Sequence, residues 1–242
     1  MSHAFILGAT STLARSVCQQ LGPTTAHFTL VGRDEEKLER LQRDLSARTN
    51  AKVSIEVIDL LAPFDAPALI ARAEEAHGPI THGFSFPGAL GNGRVDDAAN
   101  IAALALVNYV APAQFLTAIA ARMQKRRAGQ LVVISSVAGD RGRASNYAYG
   151  AAKAALSTFT GGLRQLLHES GVQVLLVKPG FIDTPMAAGV KSKLMASPDA
   201  VAAIILKAME KGSGSIYAPW FWRIIMGIII HLPAPIFNRL KL

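Results

Sequence analysis

Acidic residues are scarce in this chain. Of 242 residues, 17 are Asp or Glu against 25 Lys or Arg, so the formal net charge is +8 with only 17% charged in all. Cysteine is scarcer still. Cys18 stands alone, which excludes an internal disulfide, and the six histidines are scattered without zinc-site spacing, so no metal is expected. Cys18 follows Val17 in an apolar helical stretch and reads as a small buried hydrophobe. Aromatics do not interleave the basic knot of Arg122, Lys125, Arg126 and Arg127, as a single-strand binder would need. Nucleic acid is therefore not an expected partner. The knot reads as the solvated end of a helix, where cations suit the dipole. The opening Met-Ser-His-Ala lacks the basic head and long apolar body of a signal peptide, so a cytoplasmic chain is expected.

Apolar residues are plentiful, at 50%. That is too many for a disordered chain. It is also high for a protein wet on every side. Short apolar runs alternate with helical stretches: Ala4 to Leu7, His27 to Val31, Val53 to Ile58, Ile80 to Phe86, Leu131 to Ile134, Val172 to Val177 and Ser215 to Ala218 read as strands. Helices are expected over Leu13 to Leu21, Glu35 to Leu45, Asp65 to His77, Ala98 to Met123, Asn146 to His168 and after Ser197-Pro198-Asp199. Pro112 is expected to kink or split the fourth of these. Strands this apolar, separated by helices, predict a parallel sheet covered on both faces. With no Gly/Ser linker and no internal repeat, the fold class is α/β: one doubly wound domain.

The first strand runs into Gly8-Ala9-Thr10-Ser11-Thr12-Leu13-Ala14 and then a helix. Backbone N–H groups and a helix dipole face an anion at such a turn, the place where doubly wound folds bind a dinucleotide pyrophosphate. Gly8, Thr10, Ser11, Thr12 and Leu13 are the binding candidates, with Ser11 and Thr12 offering hydroxyls. Thr12 stands where a second glycine is usual, so the loop could also be an ordinary β-to-α turn. Arg33, at the end of the second strand, offers a planar cation suited to a 2′-phosphate, which favours NADP over NAD. The alternative is a surface arginine pairing with Asp34 or Glu36. Asp59, after the third strand, is placed either to touch adenine or to cap a helix.

The strongest signal is Tyr149-Gly150-Ala151-Ala152-Lys153. Tyr and Lys four apart on a helix project from one face. A nearby ammonium favours the phenolate, so Lys153 is expected to lower the Tyr149 pKa towards that of a proton donor at neutral pH. Tyr149 lies 13 residues after Ser136, which ends the strand Leu131 to Ile134 and so sits at the sheet's carboxyl edge.

Three motifs stand in order: Ser135-Ser136-Val137-Ala138-Gly139, then Tyr149 and Lys153, then Lys178-Pro179-Gly180-Phe181-Ile182-Asp183-Thr184-Pro185-Met186. Carrying them, the chain resembles the short-chain dehydrogenase/reductase family from end to end. The resemblance implies a Rossmann-type sheet and an NAD(P)-dependent oxidoreductase. It implies that Tyr149 protonates a substrate carbonyl, that Lys153 also holds the nicotinamide ribose, and that Ser136 bonds the carbonyl oxygen. It further implies that Asn108 holds a relay water and that Pro179, Gly180, Ile182 and Thr184 shape the nicotinamide pocket. Two departures stand out. Thr12 replaces the middle loop glycine. The family's Asn-Asn-Ala-Gly appears as Ser85-Phe86-Pro87-Gly88, leaving Gly88 as a cofactor contact and Ser85 as a partial substitute. Family members are usually dimers or tetramers, so a homodimer or homotetramer is implied.

Both departures, the stretch Ser135 to Lys153 and the tail from Tyr217 give a narrower resemblance, to the decaprenylphosphoryl-2-keto-pentose reductases that make an arabinose donor. It implies a keto-sugar carried on a polyprenyl-phosphate lipid. Arg141 and Arg143, foreign to most of the family, either hold a lipid phosphate or form surface salt bridges. Residues 1–218 are expected to form the catalytic domain and 219–242 an apolar extension. On a helix, Arg223, Gly227 and His231 fall in one stripe of an otherwise apolar segment from Trp220 to Leu232. The segment is too short to span a bilayer, and Trp220, Trp222 and the flanking cations suit an interfacial anchor at the inner membrane face. A subunit contact or pocket lid is the alternative. Two other readings of function stay open: a general short-chain reductase for an apolar ketone, and a cofactor-binding protein without turnover.

Overall fold

The computed structural model describes residues 2–92, 97–189 and 192–240. Seven parallel strands form one sheet in the order β3-β2-β1-β4-β5-β6-β7. They are β1 (His3–Leu7), β2 (His27–Gly32), β3 (Lys52–Val57), β4 (His82–Ser85), β5 (Gln130–Ile134), β6 (Gln173–Pro179) and β7 (Gly214–Ala218). The interior strands are buried along their length because helices cover both faces, as their continuous apolar runs require. The helices are α1 (Thr12–Leu21), α2 (Glu35–Arg48), α3 (Ala66–His77), α4 (Ala98–Ala105), α5 (Ala111–Arg126), α6 (Tyr147–Leu167), α7 (Pro198–Met209), α8 (Trp222–His231) and the single turn α9 (Ala234–Phe237).

Local chemistry fixes the helix starts. Asp34, Asp65, Asp97 and Ser197 are N-caps, each accepting a backbone N–H three residues on. The helix stays continuous across Pro112, but its α geometry is divided there into α4 and α5. Pro112 sits at the start of α5, and the turn before it, Leu106–Val110, widens to π geometry. A proline at 112 has no N–H for the carbonyl four residues back, that of Asn108, and a wider turn accommodates the loss.

Two apolar layers flank the sheet. Helices α1, α2 and α7 pack Leu13, Val17, Leu41, Leu45 and Ile205 against one face; Cys18 is among them, and burial pushes its thiol up to about 12. Helices α3, α5 and α6 pack Ile70, Phe115, Ile119, Met123 and Leu156 against the other. The continuous helical stretch Ala98–Arg126 is long and apolar enough to cross a membrane by length and composition. Here, however, it contributes Phe115, Leu116, Ile119 and Met123 to that core.

The strands begin with polar residues, and these find partners. His3 bonds Gly78 O at 2.8 Å and Thr29 Oγ1 at 2.9 Å. His27 bonds Ser54 Oγ at 3.0 Å and stacks on His77 at 3.8 Å between centroids. Gln130 donates to Gln173 Oε1 and Met209 O. The basic knot differs from expectation: Arg122 and Arg126 are not simply solvated but both pair with Glu74, whose side chain is only 9% exposed. Arg127 closes α5 in a left-handed conformation and donates to Glu169 O at 2.7 Å.

Candidate active site

Strand order reverses between β1 and β4, which opens a crevice at the sheet's carboxyl edge. Gly8 leaves β1 with φ +76°, and a Cβ there would lie 2.9 Å from Pro87 N, so only glycine fits the turn. Ser11 is the N-cap of α1; its Oγ accepts from Ala14 N at 3.1 Å, which leaves its hydroxyl hydrogen to donate to a ligand. Thr12 fills the missing glycine's place as the first helical residue. Thr10 is half-buried beside them, and Leu13 is packed into the core.

Arg33 is exposed at the end of β2. The pairing considered for it with Asp34 or Glu36 is not found: Asp34 pairs with Lys37 at 2.8 Å and Glu36 with Arg40. Asp59 accepts from Leu61 N at 3.0 Å, so one of its oxygens caps a turn.

The loop after β4 is held from two sides. Lys153 Nζ donates to Pro87 O at 2.8 Å and to Ile134 O at 3.2 Å. Asn108, fully buried in the π turn, accepts from Ala89 N at 3.1 Å and donates to Ala89 O and Leu104 O, each at 3.0 Å. Gly88 lies between the two side chains: a Cβ there would be 3.8 Å from Asn108 Oδ1 and 3.9 Å from Lys153 Nζ. Ser85 does not replace the missing asparagines by any bond inside the chain. Its Oγ is buried without a partner.

Ser136 follows β5, and Tyr149 and Lys153 lie one turn apart on α6, with Lys153 Nζ 5.9 Å from the Tyr149 ring centroid. The loop and helix meet where both are small: a Cβ on Gly139 would lie 2.8 Å from Ala154 N, and one on Gly150 2.8 Å from Ala138 O. Ser136 accepts from Ala138 N at 3.1 Å, and its hydroxyl acts on the Tyr149 phenol. Burial holds the Tyr149 phenol above the ordinary tyrosine range, while the Ser136 bond pulls it down. Burial also holds Lys153 at about 7. This corrects the expectation that Lys153 sets the Tyr149 pKa through its charge. Desolvation is the larger influence on both groups, because each is enclosed by helix, strand and loop.

On the β6 side, Pro179 is buried, and Gly180 N donates to Ala218 O at 3.2 Å. Ile182 bridges to Ala196, and Thr184 Oγ1 reaches Ile182 O at 3.4 Å. Asp140 joins the Ser136 loop to the sheet, accepting from Lys178 at 2.5 Å and Tyr217 OH at 2.9 Å. Nothing in the motifs pointed to Asp140 or Tyr217.

The tail is divided by the structure. Trp222 and Met226 are buried against Val137, next to Ser136, and Trp222 lies so close over Gly180 that a Cβ there would meet its ring at 1.9 Å. Trp220, Ile224 and Ile228 are exposed at 71%, 57% and 62%. Trp222 is therefore a wall of the site and not an anchor, a role the spacing of Trp222 and Met226, one helical turn apart, could have suggested. Arg141 donates to Ile229 O at 2.5 Å and Leu232 O at 2.7 Å and lies 3.8 Å over the Phe237 ring. It ties down the end of α8, so neither alternative read for it, lipid phosphate or salt bridge, describes its contacts. Arg143 touches Met226 Sδ at 3.2 Å. Lys241 lies outside the described residues.

Comparison with known proteins agrees with this architecture. The pattern of the short chain dehydrogenase family matches residues 2–194. An uncharacterized oxidoreductase of Mycobacterium tuberculosis is 38% identical over 175 residues, covering 71% of this chain and 70% of its own length. One from Streptomyces coelicolor is 30% identical over 240 residues, 97% of this chain and 94% of its own. Among solved structures, a short-chain dehydrogenase from Sphingobium yanoikuyae in complex with NADPH superposes with a TM-score of 0.82 at 23% identity, covering 97% of both chains. A bulky-bulky ketone specific alcohol dehydrogenase from Comamonas testosteroni gives 0.82 at 21% identity, covering 97% of this chain and 96% of its own.

Proposed function

The chain belongs to the short-chain dehydrogenase family of oxidoreductases, and from that premise we propose that it is an NADPH-dependent reductase of a keto-sugar carried on a polyprenyl-phosphate lipid. The observation that carries the reaction is the grouping of Ser136, Tyr149 and Lys153 beside the crevice.

The residues present fit the dinucleotide. Gly8 makes the tight turn from β1 into α1, the N-terminus of α1 faces the crevice with its dipole, and Ser85 Oγ is a buried polar atom there without a partner among the described residues. Arg33, exposed and without an ion pair among the described residues, suits a 2′-phosphate. When bound, the cofactor supplies a hydride to the carbonyl carbon. Ser136 orients the carbonyl oxygen. Tyr149 gives it the proton that balances the hydride, and Lys153 returns a proton to Tyr149. Asn108 and Lys153 position the Gly88 loop so that the crevice keeps its width. Trp222, Met226 and Phe181 exclude water from the reacting end.

The lipid half of the reading rests on the outer face of α8. Trp220, Ile224 and Ile228 form an exposed apolar row, Arg223 and Arg239 are exposed near it, and no acidic residue follows Glu210. That combination suits an anionic lipid surface at which a polyprenyl substrate is presented. The buried apolar wall also favours a second reading, a reductase of soluble apolar ketones.

NADPH oxidation measured with a polyprenyl-phosphate keto-pentose in anionic vesicles, beside simple aromatic ketones, tests both. Turnover of the lipid-linked sugar, lowered by the paired change Ile224→Glu and Ile228→Glu, is expected. Turnover of the simple ketones alone would replace the first reading with the second.

A further inference from the structure

Arg141 and Arg143 lie two residues apart, and the fold treats them differently. The Arg141 guanidinium is engaged: it donates to Ile229 O and Leu232 O, carbonyls at the end of α8. Arg143 is half-buried. Its Nη2 has only Met226 Sδ, a weak acceptor, at 3.2 Å, and its Nε is buried with no acceptor among the described residues. Burial holds the Arg143 pKa below its ordinary value and the Asp140 charge only partly opposes this, while the Asp140 carboxylate oxygens already take Lys178 and Tyr217. The indole Nε1 of Trp222, one turn before Met226 on the same buried face of α8, also lacks an acceptor. Both side chains thus belong to the wall that touches Val137, the neighbour of Ser136.

A buried Nε–H without an acceptor is costly, and the fork it forms with the terminal nitrogens fits two oxygens of one oxyanion. We propose that Arg143 is a specificity-determining residue that binds a phosphate ester on the substrate while Ser136 and Tyr149 hold the carbonyl. The proposal rests on the reductase reading above and names the group its substrate must carry. A lipid phosphate and a soluble sugar phosphate present the same oxyanion. The alkyl portion then leaves along α8, past Met226 towards the exposed row at Ile224 and Ile228.

The test is a binding measurement on the full chain saturated with NADP+, by calorimetry and by the change in tryptophan fluorescence. The probes are farnesyl phosphate, farnesol and dihydroxyacetone phosphate. Wild type is expected to bind farnesyl phosphate about 10- to 100-fold more tightly than farnesol, Arg143→Gln to erase that preference, and Arg143→Lys to restore part of it. Dihydroxyacetone phosphate binding as tightly as farnesyl phosphate would assign the oxyanion to a soluble ester; weaker binding would assign it to a lipid. No preference for the phosphate in wild type, or a preference kept by Arg143→Gln, overturns the proposal. If the glutamine variant does not fold, a full preference retained by Arg143→Lys overturns the role of the fork. A failed reductase reading is seen separately, as absence of NADPH oxidation with every ketone.

Discussion

The two edges of the sheet treat buried polar groups in opposite ways. At the amino edge, where the strands begin, polar side chains close on one another: His3 on Gly78 and Thr29, His27 on Ser54, Glu74 on Arg122, Arg126 and Ile80 N. At and beyond the carboxyl edge, Ser85 Oγ, Arg143 Nε, Asn146 Oδ1 and Trp222 Nε1 are buried and unmatched among the described residues, whereas at the amino end of the sheet only Arg164 Nη1 is. An unmatched buried polar group costs about 1–3 kcal/mol, so a fold keeps several together only where something else supplies the partner. The amino edge is largely closed on itself, and the carboxyl edge keeps polar groups open, as the proposed ligand site requires.

Five changes would break or sharpen this contrast. Tyr149→Phe removes the proposed proton donor and is expected to lower carbonyl reduction by about 10³-fold, with NADPH binding changed no more than a few-fold. Stopped-flow hydride transfer and fluorescence titration of NADPH separate the two, and retained turnover would remove Tyr149 from the mechanism. Glu74→Ala, at the other edge, leaves two arginines without their carboxylate. A loss of about 2–3 kcal/mol in urea unfolding is expected, below the full buried-pair value because Arg122 is partly exposed, with kcat unchanged. A comparable loss of kcat there would end the division between the edges.

Arg33→Ala is expected to raise the KM for NADPH by about tenfold and that for NADH little. Equal changes would leave the arginine without a 2′-phosphate role. The smallest effect is on the pH dependence of stability. Burial is the first cause holding His27 at about 4 and His3 and His82 below their ordinary value, so the unfolded chain binds more protons than the folded one as pH falls from about 6.5. Stability is expected to decline across that acid window, less steeply in His27→Asn. Lys153, held at about 7, acts in another window. Between about 7 and 10.5 the unfolded chain keeps the proton that the folded chain has shed, so stability rises with pH there, and Lys153→Met should flatten the rise. Urea midpoints from pH 4.5 to 9.5 read both windows.

Much of this was legible in local pattern. Apolar runs marked the seven strands within a few residues, and Ser197-Pro198-Asp199 marked the start of α7, because each depends on neighbours in the chain. Ser136, Tyr149 and Lys153 were legible because strand end and helical spacing place them on one edge. The partners of the basic residues were not. Arg122 and Arg126 meet Glu74 from α3, and Arg141 meets carbonyls about ninety positions away. The Tyr149 pKa direction was missed for the same reason: the ammonium is local, but the enclosure that outweighs it comes from β5, the Gly88 loop and the Ser136 turn.

By itself the sequence determined an apolar parallel sheet with helices on both sides, a glycine turn after β1, and a tyrosine and a lysine sharing a helix face. These follow from backbone periodicity and short-range sterics. Only the tertiary structure decided which polar groups are satisfied and which are not. It used Arg141 as a strut and left Arg143 without an oxygen acceptor among the described residues. It also turned Trp222 inward and left Trp220 outside. Hydrogen-bond satisfaction and desolvation depend on everything that surrounds a group, and those surroundings exist only once distant segments have packed together.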